Sequence, residues 1–304
     1  MTLLQNFAGS RPRPVAPLAT LVAGGVCLGA APVVVKAVDL APEVSAFYRV
    51  LLAAPVFALL AFLLPAPERN GKATTDPACL PLWLAALAAA FFAGDLAVMH
   101  IAIAKTDVAI ATLLTNCAPF FVGLIGLVGF TDSPTRHFWI ALPVAVAGVA
   151  LLIGVNATDG GSIAGDGLAL VASALYAGYL ICVRELRRRG ASSIRIMSWV
   201  TAASAVLLAP LFVHAGAPVP AKPETWALLA VLVLVGQLAG QGLVAVALRD
   251  LPVSLSSLVL LLQPVAAAIL SWALLGERLT SIQVAGMAVV LFAIGYASLK
   301  PALR

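Results

Sequence analysis

Ten apolar runs divide the chain, at 17–37, 44–64, 80–104, 107–130, 137–155, 164–183, 194–214, 225–248, 252–275 and 280–299. Each matches the length of about 20 mostly apolar residues that a helix needs to cross a bilayer. The gaps are short and rich in breakers: Asp39–Pro42, Pro65–Pro81, Thr131–Pro134, Asn156–Gly161 and Gly216–Pro223. No polar stretch is long enough for a second, soluble domain. Arg11 and Arg13 ahead of the first run fit the opening of a secretory leader, but the run exceeds the ~7–15 apolar residues of one. Its small pair Ala30-Ala31 is followed at once by Pro32, a poor residue after a cleavage point, so the run is read as a retained span.

Composition agrees. The 304 residues are 62% apolar and 10% charged, with a mean hydropathy of +1.07. A soluble domain has roughly 25% charged residues, so a soluble enzyme, a disordered chain and a fibrous one are all excluded. The pattern predicts an all-α, multi-pass membrane protein. A net charge of +5 would point to nucleic acid in a soluble protein. Here the tendency of Lys and Arg to collect on the cytoplasmic side accounts for it, and no nucleic-acid partner is expected. With the N-terminus inside, 13 of the 18 basic residues fall in cytoplasmic segments, led by the cluster Arg184–Arg189. The external segments then hold Lys36, Arg49, Lys105, Lys222 and Arg278. Both termini are therefore expected in the cytoplasm. Cys27, Cys79, Cys117 and Cys182 form no CxxC pair, and they are read as small buried hydrophobes with no metal between them.

The chain also repeats itself. At a shift of 145, Ala102 meets Ala247, Val108 meets Val253, Leu113 meets Leu258, Pro119 meets Pro264 and Thr135 meets Thr280. Asp132 meets Glu277, each thirteen residues after its proline. Lys36 and Arg184 close the first helix of each half at a similar shift of 148. The units are 1–156 and 162–304, with five spans each. Five is odd, so the copies insert with opposite orientation, as in many secondary transporters that bind substrate at the repeat interface.

The stretch from Ser254 to Gln263-Pro264, followed by Leu274-Leu-Gly-Glu277-Arg-Leu-Thr280 and Gly286, resembles the second-repeat signature of EamA-type transporters. These belong to the drug/metabolite transporter superfamily. Asp107 to Pro119 and on to Asp132 resembles a degraded first copy, with Asp for the usual Glu and Ala141 where Gly286 stands. The resemblance implies two inverted five-helix repeats around a central cavity lined by spans 1, 3, 4, 6, 8 and 9. It implies export of small metabolites across the bacterial inner membrane by alternating access, with amino-acid exporters, the aromatic one included, as the nearest likeness. It implies no cofactor, and a monomer or homodimer.

Candidate pathway residues follow from polarity inside apolar runs. Pro119 and Pro264 each remove a backbone N–H in mid-span and are read as matched bends, freeing the carbonyls of Thr115 and Leu260. Thr112, Thr115, Asn116 and Pro119 share one face of the fourth span. Ser257, Leu260, Leu261 and Pro264 form the equivalent face of the ninth, with Ser254 one turn earlier. Such an asymmetric pair suits a zwitterion with an apolar side chain; ordinary interhelical hydrogen bonding would use the same residues. Asp95 is the one acid well inside a run, so it must face a partner or a wet cavity. It could bind a substrate ammonium, take up a coupling proton or serve as a structural partner. Met99 lies a turn further on, and His100 points elsewhere. Tyr176 and Tyr179 are placed to stack on an aromatic substrate, and Gln237 and Gln241 share a face of the eighth span. Gly25 with Gly29, and Gly236 with Gly240, have the spacing of close helix packing. Glu277-Arg278 reads as a local ion pair.

No GxxxxGK[ST], GxSxG or HExxH occurs, so ATP hydrolysis and the commonest hydrolase chemistries have no motif here. The alternatives left open are a cationic-drug or lipid-linked carrier, a membrane ligand sensor and an intramembrane enzyme.

Overall fold

The computed structural model describes residues 15–64, 81–106, 108–154 and 162–299. The readings placed on Arg11, Arg13, Arg69, Lys72, Cys79, Asp107, Lys300 and Arg304 lie outside them. Among the described residues the regular structure is helical, and ten helical spans are long and apolar enough to cross a membrane. The first three are α1 (Val15–Ala37), α2 (Pro42–Leu63) and α3 (Leu82–Ile103). The fourth is broken into α4 (Val108–Thr115) and α5 (Ala118–Leu127), and α6 (Arg136–Ile153) closes the first half. In the second half, α7 (Ile163–Arg188) and α8 (Ser193–His214) are continuous. The eighth span is α9 (Pro223–Val231), a π-helical segment over Leu232–Gln241, and α10 (Gly242–Ala247). The ninth is again broken, into α11 (Val253–Val259) and α12 (Leu262–Leu275), and α13 (Ser281–Ser298) ends the chain's helices.

Local chemistry sets these boundaries. Thr135 and Thr280, one repeat apart, cap α6 and α13 by accepting from Phe138 N and Gln283 N. The matched prolines lie just past the matched breaks. Around the first break, the Thr112 carbonyl accepts from the Asn116 N–H at 3.2 Å and the Asn116 side-chain amide at 2.8 Å. Around the second, the Leu260 carbonyl accepts from Gln263 N at 3.0 Å. That corrects one expectation: the Leu260 carbonyl is not left free, because a tighter i+3 turn satisfies it ahead of Pro264.

Two further expectations change. The sixth span runs on to Arg188, so the cluster Arg184–Arg189 is a helix end and not a loop. Arginines there suit the negative pole of the helix, and Gly190 stops it at a φ of 90° that only glycine adopts easily. Arg49 does not lie in an external segment either; it sits seven residues into α2, and its guanidinium turns inward.

Small residues let the two halves interlock. A Cβ on Gly29 would stand 2.5 Å from the Gln263 carbonyl, and one on Gly24 would stand 3.1 Å from that of Gly240. α1 of the first half is thus pressed between the π-helical segment and α12 of the second. The close approach to the eighth span falls on Gly24, because Gly25 meets nothing nearer than the Leu260 side chain at 3.8 Å. A Cβ on Gly286 would reach within 2.7 Å of the Gly148 carbonyl, which joins α6 to α13, the last span of each half.

Candidate functional site

The packing of α3 on α7 and of α2 on the π-helical segment brings polar side chains together inside the bundle. Asp95 on α3 is 9% exposed and, among the described residues, forms no ion pair within 4.0 Å. Arg49 on α2 lies within Coulomb reach of Asp95, Tyr176 and Tyr179. Its guanidinium carbon stands 5.9 Å over the Phe92 ring. Its Nε is sealed from solvent and has no hydrogen-bond partner among the described residues. The Phe92 ring in turn packs at 4.8 Å on Tyr179, which lies 5.8 Å from Tyr176. The Tyr179 hydroxyl donates to Gln241 Oε1 at 3.1 Å. Ser45, Ser173 and Gln237 also hold buried polar atoms without partners. Buried polar groups are nearly always paired, so this concentration in one protein interior marks a place meant to meet something polar.

Of the sequence candidates, Asp95, Tyr176, Tyr179 and Gln241 come together. Met99 is half-buried one turn along α3 from Asp95. His100 Nδ1 is engaged 2.5 Å from the Leu96 carbonyl of its own helix. The polar faces flanking the two breaks are largely turned back on their own backbones. Thr115 Oγ1 donates to the Thr112 carbonyl at 3.0 Å, and Ser257 Oγ to that of Ser254 at 2.9 Å. All of α11 is buried, Ser254 and Ser257 included. Gln237 is fully buried, with both amide atoms unpaired. Reading the sequence missed Arg49 and Phe92. The available signal for Arg49 was a lone cation inside an apolar run, at a place where it could also have reached the membrane surface.

Two ion pairs flank this interior. At one end of the bundle Arg184 Nε donates to Asp132 Oδ2 at 3.0 Å. The same guanidinium donates through Nη1 to the Leu248 carbonyl at 2.8 Å and to the Arg249 carbonyl. The same carboxylate oxygen accepts from Val253 N, the first residue of α11, at 3.3 Å. At the other end Lys36 pairs with Glu277, so Glu277 is not held by its neighbour Arg278. Both pairs join one half of the chain to the other, and each is the repeat copy of its counterpart.

Two opposed five-helix halves, tied by reciprocal ion pairs around a polar interior, define a membrane transporter of small molecules. The profile of the EamA-like transporter family matches residues 16–154 and again 163–299, and the chain belongs to that family. It is 26% identical over 205 residues to the uncharacterized transporter YwfM of Bacillus subtilis (strain 168), covering 66% of this chain and 68% of the relative. A solved structure titled only "Crystal structure of protein" superposes with a TM-score of 0.75 at 16% identity, over 95% of this chain and 98% of the other. The likeness to that structure concerns the fold.

Proposed function

We propose that this transporter exports amino acids with apolar or aromatic side chains from the bacterial cytoplasm by alternating access. The observation that carries the reading is Asp95: a buried carboxylate with no ion pair among the described residues, one turn from Phe92, beside Tyr176, Tyr179 and Gln241. A substrate ammonium supplies the missing partner of the carboxylate, and the rings accept an apolar or aromatic side chain. The end carrying Arg184 faces the cytoplasm, following the basic residues of α7.

The chemistry asked of the protein is binding and release only. The halves rock about the interior so that it opens to one side at a time. The breaks ahead of Pro119 and Pro264 let α5 and α12 tilt independently of α4 and α11. Counterflow tests the reading. Purified protein in liposomes loaded with unlabelled phenylalanine should accumulate labelled phenylalanine, and Asp95→Asn should reduce that exchange at least tenfold. Binding without flux would identify a sensor and contradict the proposal.

A further inference from the structure

Arg49 is the least expected residue of the interior. A guanidinium keeps its charge under all ordinary conditions, so burying it demands compensation. Asp95 is the obvious counter-charge, and a direct bidentate pair would be the simplest structural solution. The structure does not adopt it. The two groups feel each other yet stand farther apart than 4.0 Å, while the guanidinium is held over Phe92 and its Nε is left without an acceptor. Held apart in this way, the pair presents a positive group and a negative group to whatever lies between them. That arrangement fits a molecule that itself carries both a negative and a positive group.

We infer that Arg49 binds the α-carboxylate of the substrate while Asp95 holds its ammonium, so that the site selects zwitterions over amines and over simple acids. The inference rests on the proposed amino-acid function and deepens it. The planar fork of Arg49 matches a carboxylate, which a lysine ammonium meets only as a point charge. The Phe92 ring lies 5.9 Å from the guanidinium carbon and is itself backed by Tyr179. A cation without a carboxylate would gain Asp95 but enter beside an unanswered Arg49, and an acid without an ammonium would meet the reverse penalty. A cationic-drug carrier would have no use for a buried arginine at this position.

The test compares three probes of one shape in counterflow: phenylalanine, phenethylamine and 3-phenylpropionate. The wild type should exchange phenylalanine at least tenfold faster than either of the other two. Arg49→Gln should lower the ratio of phenylalanine to phenethylamine exchange at least tenfold, and the doubly neutral Arg49→Gln, Asp95→Asn protein guards against a folding defect from one unpaired charge. Arg49→Lys should fold and raise the phenylalanine KM about tenfold, with kcat less affected. An unchanged selectivity ratio in Arg49→Gln or in the double variant, or an unchanged KM in Arg49→Lys, overturns the inference and leaves amino-acid transport standing. If the wild type moves no amino acid, the proposed function falls, and the Arg49 assignment is decided by binding. Thermal protection of the wild type by 3-phenylpropionate that is lost in Arg49→Gln would then support a carboxylate site, whereas equal protection or none would overturn it.

Discussion

Arg184–Asp132 and Lys36–Glu277 are the same interaction written twice, once at each end of the bundle, and their surroundings differ sharply. Side-chain exposure is 11% and 21% for the first pair, against 65% and 44% for the second. Arg184 also binds the chain at Leu248 and Arg249, and Asp132 also receives Val253 N, so four strands of contact meet at one place. Among the described residues, Lys36 and Glu277 form this pair on an exposed surface with no further hydrogen bond from either side chain. The same repeat-related contact is thus tight at one end and more exposed at the other. In the proposed alternating-access cycle, the more exposed Lys36 end is the one this structure leaves readier to open.

The comparison can be strained by removing one member at a time, with stability read by equilibrium unfolding in bicelles. Asp132→Asn should have the largest effect, a loss of about 3 kcal/mol, because it leaves a largely buried arginine uncompensated and weakens the acceptor of Val253 N. Arg184→Lys should cost about 1–2 kcal/mol, since an ammonium cannot serve Asp132 and both carbonyls with the geometry of the guanidinium fork. Glu277→Gln should cost below about 1 kcal/mol, the ordinary worth of an exposed pair. Equal losses for Asp132→Asn and Glu277→Gln would erase the distinction between the two ends.

The smallest effect is expected from Asp39, whose carboxylate accepts from Lys222 at 2.9 Å on the exposed surface near the Lys36 end. That hydrogen bond, with the charge behind it, holds the Asp39 carboxyl below its ordinary value of 3.8. A lowered folded-state value means that any contribution is present above 3.8 and lost only as pH falls through the lower folded value. The gap in stability between the wild type and Asp39→Asn should therefore be small and constant between pH 5 and pH 8. A large or changing gap in that window would show that the Lys36 end is more tightly organised than its exposure indicates.

Much of this architecture is legible in one sequence because membranes impose a simple code. Apolar run length gives the spans, and the pairs Pro119 with Pro264 and Asp132 with Glu277 disclose the repeat. What was not legible depends on three dimensions. Arg184 and Glu277 each stand near partners in sequence, Glu185 and Arg278, yet each reaches into the other half of the chain. Arg49 follows Pro42 closely enough for a long side chain to reach the interface, and only the packing of α2 near α3 shows it turning toward Phe92 and Asp95. The polar face of Thr115 and Ser257 looked like a pathway lining because spacing shows which side residues share. It does not show that both hydroxyls are spent on carbonyls of their own helices.

The central claim is that the interior opens at one end of the bundle at a time, and distances between spin labels at both ends test it most directly. Labels at Ser133 and Arg188 bracket the Arg184–Asp132 pair, and labels at Ala37 and Arg278 bracket the Lys36–Glu277 pair; all four positions are exposed. Each pair of labels is introduced by cysteine into the full chain lacking its native cysteines, with and without Arg184→Gln. The account predicts that Arg184→Gln lengthens the distance between 133 and 188 and shortens the one between 37 and 278 in the same population of molecules. Distances that stay fixed at both ends, or that lengthen together, would contradict it.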